Sequence, residues 1–495
     1  MKYLLGINAE AKGVTAVLYD LAGYEMGRMV KKLIFEEEDI RQEGSMAELW
    51  EKTAQAVRGL MKKTEVSPET VLAIAVSGQG GGLWAIDAEG EALEPAIWGS
   101  DGRAFLEEEV VNVKTPGLGA LIHRNLGVPA ERGGTLLLLK WLKKNNLPKY
   151  RRIAHLLSAK DWLRYQMTGD LATEMTDSGR SFFKIRDGAL AQQPLTLLEI
   201  PEAARFMAPR RMSAEVAGLL TGEAAEQMGL MPGMPVVMGL ESIAALVFGM
   251  GGVRDGQIIV DLSEICTVYQ VHKLENCEIN RGTRRYLHHI HPGLRIEAMP
   301  QGSGMTAVKW AMKEVARTSN INTIEGLVRE ATPGCRGLTF YPCLSEISGE
   351  GTDVRGGFFG IDKKTTKAEL LRAVYESVAF VIRESLEQLD RCDEISICGE
   401  GAMRPVLVQI IADITGKRVR TMMGEDFSAR GVAMTAGIAI GKYGDVVTAA
   451  DQCCRSEKIY QPIPSKSYEQ SYQIFKESQK PLKIMWQIRK KMFQR

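Results

Sequence analysis

Glu241, within Gly239-Leu240-Glu241-Ser242, is a carboxylate, and carboxylates are among the side chains that serve as general bases. Taken by itself it reads more readily as a solvated helix start. Ser77-Gly78-Gln79-Gly80-Gly81-Gly82 is a loop that only glycine builds tightly, because a side chain would bar its backbone angles. Asp101-Gly102-Arg103 and Lys160-Asp161 set opposite charges side by side, and the ordinary role of such pairs is a surface ion pair. Three histidines in His288-His289-Ile290-His291 suggest a metal, with His289 and His291 on one face of a strand. No acidic or cysteine partner stands at ligand spacing, so the segment reads as a strand ending at Pro292-Gly293.

The elements that position these groups are legible from apolar patterning. Tyr3-Leu4-Leu5-Gly6-Ile7-Asn8 and Gly13 to Asp20 read as two strands of a meander, with a turn at Leu21-Ala22-Gly23. Met46 to Lys63 has Leu49, Ala54, Val57, Leu60 and Met61 at helical spacing, and Val71 to Val76 is a continuous apolar run suited to a buried strand. The opening plan recurs at Gln257 to Asp261, a tight turn, then Cys266 to Tyr269, which reads as a repeat of one α/β unit. Met231-Pro232-Gly233-Met234-Pro235 and the run Gly249 to Gly256 flank the expected domain junction. The tail from Ser465 reads as a terminal amphipathic helix docked on its own domain, in preference to a membrane-surface helix.

Bulk composition narrows the function classes. At 495 residues the chain exceeds the roughly 250–300 residues at which single cores stop growing, so about two large domains are expected. Sixty-two basic against 61 acidic residues leave a formal charge of +1, which argues against nucleic acid as the main partner. The first residues lack a secretory pattern and no segment has the ~20 unbroken apolar residues of a membrane span, so a cytoplasmic location and no membrane partner are expected. The eight cysteines include no CxxC pair and read as reduced thiols.

Taken in order, a set of motifs resembles the FGGY family of ATP-dependent carbohydrate kinases. Ser77-Gly78-Gln79, Trp84 to Gly90, Pro95 to Trp98 with Asp101-Gly102-Arg103, and Ser158-Ala159-Lys160-Asp161 with Met167-Thr168-Gly169 are similar to its N-terminal elements. Tyr341-Pro342-Cys343-Leu344-Ser345, Arg355 to Ile361, Gly399-Glu400-Gly401-Ala402, Ala412 to Gly416 and Ala429 to Ala433 are similar to its C-terminal ones. The loop Gln79 to Leu83 followed by Ser100-Asp101 looks closest to the xylulokinase-like pentulose and polyol kinases of the family.

The resemblance implies an α/β fold of two ribonuclease H-like domains of the actin/hexokinase type around a central cleft. The boundaries it implies are 1–250 for the sugar-binding domain, 251–450 for the nucleotide-binding domain and 451–495 for a helical tail. It implies ATP and Mg²⁺ as cofactors, a small sugar or polyol as substrate, and a homodimer, which is common in the family. By the same carry-over Glu241 is the base, and Gln79, Gly80, Asp101 and Arg103 lie on the sugar side. Asn8, Lys12, Ser263 and Glu264 lie near the phosphates, with Asn8 at the metal position, and Gly399, Gly401 and Ala402 hold the adenosine.

The chain departs from the family where Mg-ATP is handled. Asn8 stands in place of an aspartate, which keeps an oxygen but loses the charge that Mg²⁺ prefers. Glu10-Ala11 replaces Gly-Thr, and Ser263-Glu264-Ile265 replaces Gly-Thr-Ser, so two carboxylates are added where polyphosphate is expected. Glu241 replaces the family's aspartate with one methylene more. Two readings stand: a kinase for a pentulose or related polyol, or a non-catalytic relative that binds sugar or regulates a partner. A third, an actin-like ATPase, lacks the Ser-Gly-Gln loop and the Pro342 signature.

Overall fold

The strongest apolar runs pair first. Tyr3–Glu10 and Gly13–Asp20 form an antiparallel hairpin from Tyr3↔Asp20 to Glu10↔Gly13, and Glu25–Lys32 adds to its outer edge. Val71–Gly78 runs parallel to Tyr3–Glu10, Pro235–Glu241 runs parallel to Val71–Gly78, and Val216–Leu219 closes the sheet antiparallel. The central strands are apolar along their length because helices cover both faces, and Leu5, Ile7, Ile74, Val76 and Val236 are buried.

Met46–Thr64 supplies one cover, burying Leu49, Val57 and Leu60 on a single stripe. Ser45 caps its start, its Oγ accepting from the Glu48 N–H at 3.1 Å, which satisfies one of the amides that a helix leaves unpaired. On this sheet Phe427–Ala439 packs against Ser242–Gly249 and across Tyr3–Glu10 and Val71–Gly78. The computed structural model describes residues 1–34, 36–38, 40–277, 279, 284–344, 354–390 and 392–493. Ser345 of the proline signature and Gln494-Arg495 of the tail lie outside the described residues.

The chain divides into two packed units. The first comprises Met1–Asp255, Val271–Glu297 and Asp426–Arg455, and the second Gly256–Gln270, Ala298–Glu425 and Ser456–Arg495. In the second, Ile258–Leu262 pairs antiparallel with the strand Cys266–Lys273 and parallel with Glu394–Cys398. Arg418–Met422 and Ser456–Tyr460 extend that sheet. This is the hairpin-plus-parallel-strand plan of residues 3–78, so the repeat read from sequence is present in the backbone.

Lys367–Leu386 and Pro405–Thr415 bury Leu371, Val374, Val378, Leu407 and Ile411 in the second core. The tail helix Lys466–Phe493 docks there through Tyr468, Tyr472 and Phe475, as expected of an amphipathic terminus.

One local expectation is corrected. The histidine strand spans Arg285–His288 only and does not continue to Pro292, so His289 and His291 do not share a strand face. The His289 ring itself ends the strand: its Nδ1 accepts the His291 N–H at 3.0 Å and its Nε2 donates to the Gly252 carbonyl at 2.8 Å. All eight cysteines are free thiols. Among the described residues no helix is long and apolar enough to cross a membrane.

Candidate active site

Strand register brings the separated motifs of the first unit together. Asn8 lies opposite Ser77, Ala9 opposite Gly78, and Glu241 opposite Gly78 from the other side. Three parallel strands therefore end at one edge, and the carboxyl ends of parallel strands are where α/β sheets place ligands. Gly239 makes the last turn of its strand possible: its φ is +79°, and a Cβ there would collide with the Val76 carbonyl oxygen. The strand shifts register between Val237 and Leu240 and delivers Glu241 to the start of the helix Ser242–Gly249.

Glu241 is 2% exposed. Its Oε2 accepts from the Ile243 N–H at 2.9 Å and the Ala244 N–H at 3.4 Å, so it caps the helix with its own carboxylate, a position the helix dipole favours for an anion. Its Oε1 accepts from Arg180 Nη1 at 2.8 Å, and its own N–H donates to Thr176 Oγ1 at 2.8 Å. Gly80 lies directly against this pair: a Cβ there would sit 2.8 Å from Glu241 Cγ and closer still to Arg180 Nη1. Next to Gly80, the Gln79 Oε1 is buried without a hydrogen-bond partner. An acceptor left bare in this way is costly unless a donor arrives.

Behind Glu241 lies a buried charge cluster that sequence reasoning identified only in part. The helix Ala159–Thr168, capped by Ser158 and ended by Gly169, carries Lys160 and Asp161, both fully buried. Lys160 Nζ reaches Asp161 Oδ1 at 2.8 Å, Asp177 Oδ2 at 3.2 Å and Glu174 Oε2 at 3.7 Å. Burial opposes the Lys160 charge, but the three carboxylates more than offset it and hold its pKa up. Burial pushes the Asp177 carboxyl up to about 7, against the pull of Lys160. Arg180 also loses hydration by burial, and Glu241, Glu131 and Asp177 together keep it firmly protonated.

Asn8 has two partners. Its Oδ1 accepts from Ser77 Oγ at 3.0 Å, and its side chain bonds the carboxylate of Asp426. Burial raises the Asp426 pKa, opposed by the Ala429 N–H, Asn8 and Thr15. A carboxylate therefore stands beside Asn8 although position 8 has none. Mg²⁺ is commonly bound through one or two carboxylates together with substrate phosphates, and this pair of hard-oxygen groups fits that requirement.

The other sequence candidates are distributed differently. Asp101 and Arg103 are buried and close on each other, with Arg103 Nε to Asp101 Oδ1 at 2.9 Å and Arg103 Nη2 to Glu43 at 2.8 Å. The Gln42 N–H occupies Asp101 Oδ2 at 2.7 Å. They brace one another in place of forming a surface pair. Lys12 is exposed at the tip of the first hairpin.

In the second unit Glu264 is likewise an exposed hairpin-tip residue whose carbonyl accepts from Thr306 Oγ1 at 2.8 Å. Ser263 Oγ donates to Asp261 Oδ1 at 2.6 Å, while burial raises the Asp261 pKa. Gly399 ends the strand Glu394–Cys398, and Gly401 and Ala402 lie in the single turn Glu400–Met403 that follows. Glu400 in that turn is paired with Lys309 at 2.6 Å and Arg404 at 3.1 Å.

Arg180, Asp177, Glu174, Glu131 and Asp426 were not singled out by sequence reasoning. Asp177 and Arg180 stand in Thr176-Asp177-Ser178-Gly179-Arg180, where only the i, i+3 spacing of opposite charges hints at a shared face.

With this geometry described, similarity to known proteins adds an independent line. The profile of the FGGY family of carbohydrate kinases, N-terminal domain, matches residues 3–249, and that of the C-terminal domain matches residues 299–440. The chain is 27% identical over 464 residues to a probable L-xylulose kinase of Haemophilus influenzae, covering 88% of this chain and 90% of that one. It is 27% identical over 457 residues to the L-xylulose/3-keto-L-gulonate kinase of Escherichia coli, covering 89% of each. Ligand-bound xylulose kinase from Lactobacillus acidophilus superimposes with a TM-score of 0.89 at 18% identity, over 98% of this chain and 99% of that one. Likeness at that identity establishes the two-domain actin/hexokinase-type fold.

Proposed function

Because this chain belongs to the FGGY family of carbohydrate kinases, we propose that it transfers the γ-phosphate of ATP to a hydroxyl of a pentulose or related polyol. The observation that carries the reading is Glu241: a buried carboxylate held at a strand end, touching the Gly80 loop beside the bare acceptor of Gln79. The sugar hydroxyl lies within reach of Glu241, and a second hydroxyl donates to Gln79 Oε1. As the hydroxyl oxygen bonds to phosphorus, Glu241 takes its proton and ADP leaves with the electrons of the broken bond.

Arg180 and the two helix N–H groups hold the carboxylate in one orientation, which counts because a ~1 Å error costs about 100-fold. Asn8 and Asp426 are the groups that would hold Mg²⁺, which would supply charge neutralisation at the phosphates. The turns at Ser263-Glu264 and Gly399-Gly401-Ala402 receive the nucleotide in the second unit.

The names of the relatives, L-xylulose kinase and L-xylulose/3-keto-L-gulonate kinase, favour a five- or six-carbon keto substrate. The test is sugar-dependent ADP release from Mg-ATP across a panel of pentuloses and pentitols. Activity with at least one member, lost in Glu241→Gln, is the expected result.

A second reading, sugar binding without transfer, draws on the sequence alone, where Asn8, Glu10 and Glu264 together work against Mg-ATP. Calorimetric sugar binding with no nucleotide binding and no ADP release would select it and reject the kinase.

A further inference from the structure

A small pocket of about 40 Å³ opens in the first unit beside the Arg180–Glu241 pair. That is room for a few heavy atoms, so the pocket takes one end of a ligand and not a whole one. Its walls come from the helix Pro116–Leu126, the turn after it and the start of the helix Thr135–Asn145. Ile122, Leu126, Val128, Ala130, Leu136 and Leu137 line it. Arg180, Glu131, Thr135 and Ser181 bring polar groups to the lining, and Gly81 of the glycine loop also lines it. Arg180 joins the pocket to the base, since it lines the one and bonds the other at 2.8 Å.

A fully hydroxylated sugar does not suit such walls. A hydroxyl pressed against Ile122, Leu126 or Leu137 surrenders its water and finds no partner. A carboxylate does not suit the polar groups of the lining either. Arg180 already faces Glu241, Glu131 and Asp177, and Glu131 is itself bridged to Arg285. Its positive charge is spent within the protein, so an added anion meets three carboxylates.

We propose that this pocket is a subsite for a deoxygenated, methyl-bearing end of a neutral keto sugar or polyol, whose hydroxylated end reaches Gln79 and Glu241. The proposal rests on the kinase reading and deepens it by naming the substrate class. An apolar end gains from burial, while a terminal hydroxyl or carboxylate in the same place is left unsatisfied.

The experiment is isothermal titration of the full chain, alongside sugar-dependent ADP release, with three matched ligands. They are a ketopentose ending in CH₂OH, its 5-deoxy analogue ending in CH₃, and the analogue ending in a carboxylate. The 5-deoxy compound is expected to have a kcat/KM about tenfold above the ketopentose, the size of a buried hydroxyl left unpartnered, and the carboxylate the lowest. Ala130→Leu, which fills the pocket, is expected to erase the preference, and Ala130→Ser to weaken it; circular dichroism confirms that each variant is folded.

Equal or better use of the CH₂OH or carboxylate compound, or a preference unchanged in folded Ala130→Leu, overturns the subsite while leaving the kinase reading standing. Failure of the chain to bind or phosphorylate any of the three, or any member of the pentulose and pentitol panel, overturns both.

Discussion

The Arg180–Glu241 pair offers a sharp quantitative test of the site. Glu241 is 2% exposed and the Arg180 side chain 15% exposed, with 2.8 Å between Nη1 and Oε1. Replacing Arg180 by Met keeps the length and apolar stem but removes the guanidinium. The buried carboxylate then keeps two backbone N–H donors and the Ser242 hydroxyl at 3.5 Å. Breaking a buried pair from one side costs about 3–5 kcal/mol; those donors survive, so the low end, about 3 kcal/mol, is expected.

Glu241→Gln loses the same partner charge, and because neither charge is stranded in Arg180→Met/Glu241→Gln, the double variant is expected to be less destabilised than the sum of the singles. The resulting coupling is expected at about 2 kcal/mol. Urea titration followed by tryptophan fluorescence reads this out, because Trp50, Trp84, Trp98, Trp141 and Trp162 all lie in the first unit. A coupling below about 0.5 kcal/mol would show that the pair does not hold Glu241, and the argument for a preset base would fall with it.

Further outcomes follow from the same geometry. Gly80→Ala pushes a methyl into Arg180 and Glu241, so kcat should drop by about 100-fold for a displacement near 1 Å and the thermal midpoint should fall as the buried pair is displaced; unchanged kcat counts against Glu241 as base. Burial raises the folded pKa of Asp177 to about 7, well above its ordinary value of 3.8, so the folded state holds the proton more tightly than the unfolded chain. That contribution is fully present below about pH 4 and is lost as pH rises through 7; Asp177→Asn should flatten the fall in urea midpoint between pH 5 and pH 8, and an unaltered profile would remove Asp177 as its source. Thr366 caps the helix Lys367–Leu386 in a reciprocal box with Glu369, so Thr366→Ala should cost about 1 kcal/mol with kcat and KM unchanged, as read by denaturation and steady-state assays.

Much of the architecture was written locally and could be read directly. The strand at Tyr3, the helix at Met46 and the buried run from Val71 announce themselves by period and composition, since burial on one or both faces constrains each residue independently of its distant partners. The Lys160-Asp161 helix also had its start and stop in plain view, Ser158 as cap and Gly169 in the left-handed conformation. The positions of Glu241 and Gln79 followed from ordered motifs, and both sit at the edge where parallel strands end.

What each charged group does was decided only by the tertiary fold. Asp101 and Arg103, which look like a surface pair, are buried and brace one another. Asn8 seemed simply to lack a carboxylate, yet Asp426, more than 400 residues along the chain, brings one to it. Arg180 has no motif of its own and matters because packing aims it at Glu241. Electrostatic partnership depends on distances of a few ångström between residues far apart in sequence. Local pattern sets where a backbone runs, and folding alone sets which charges meet.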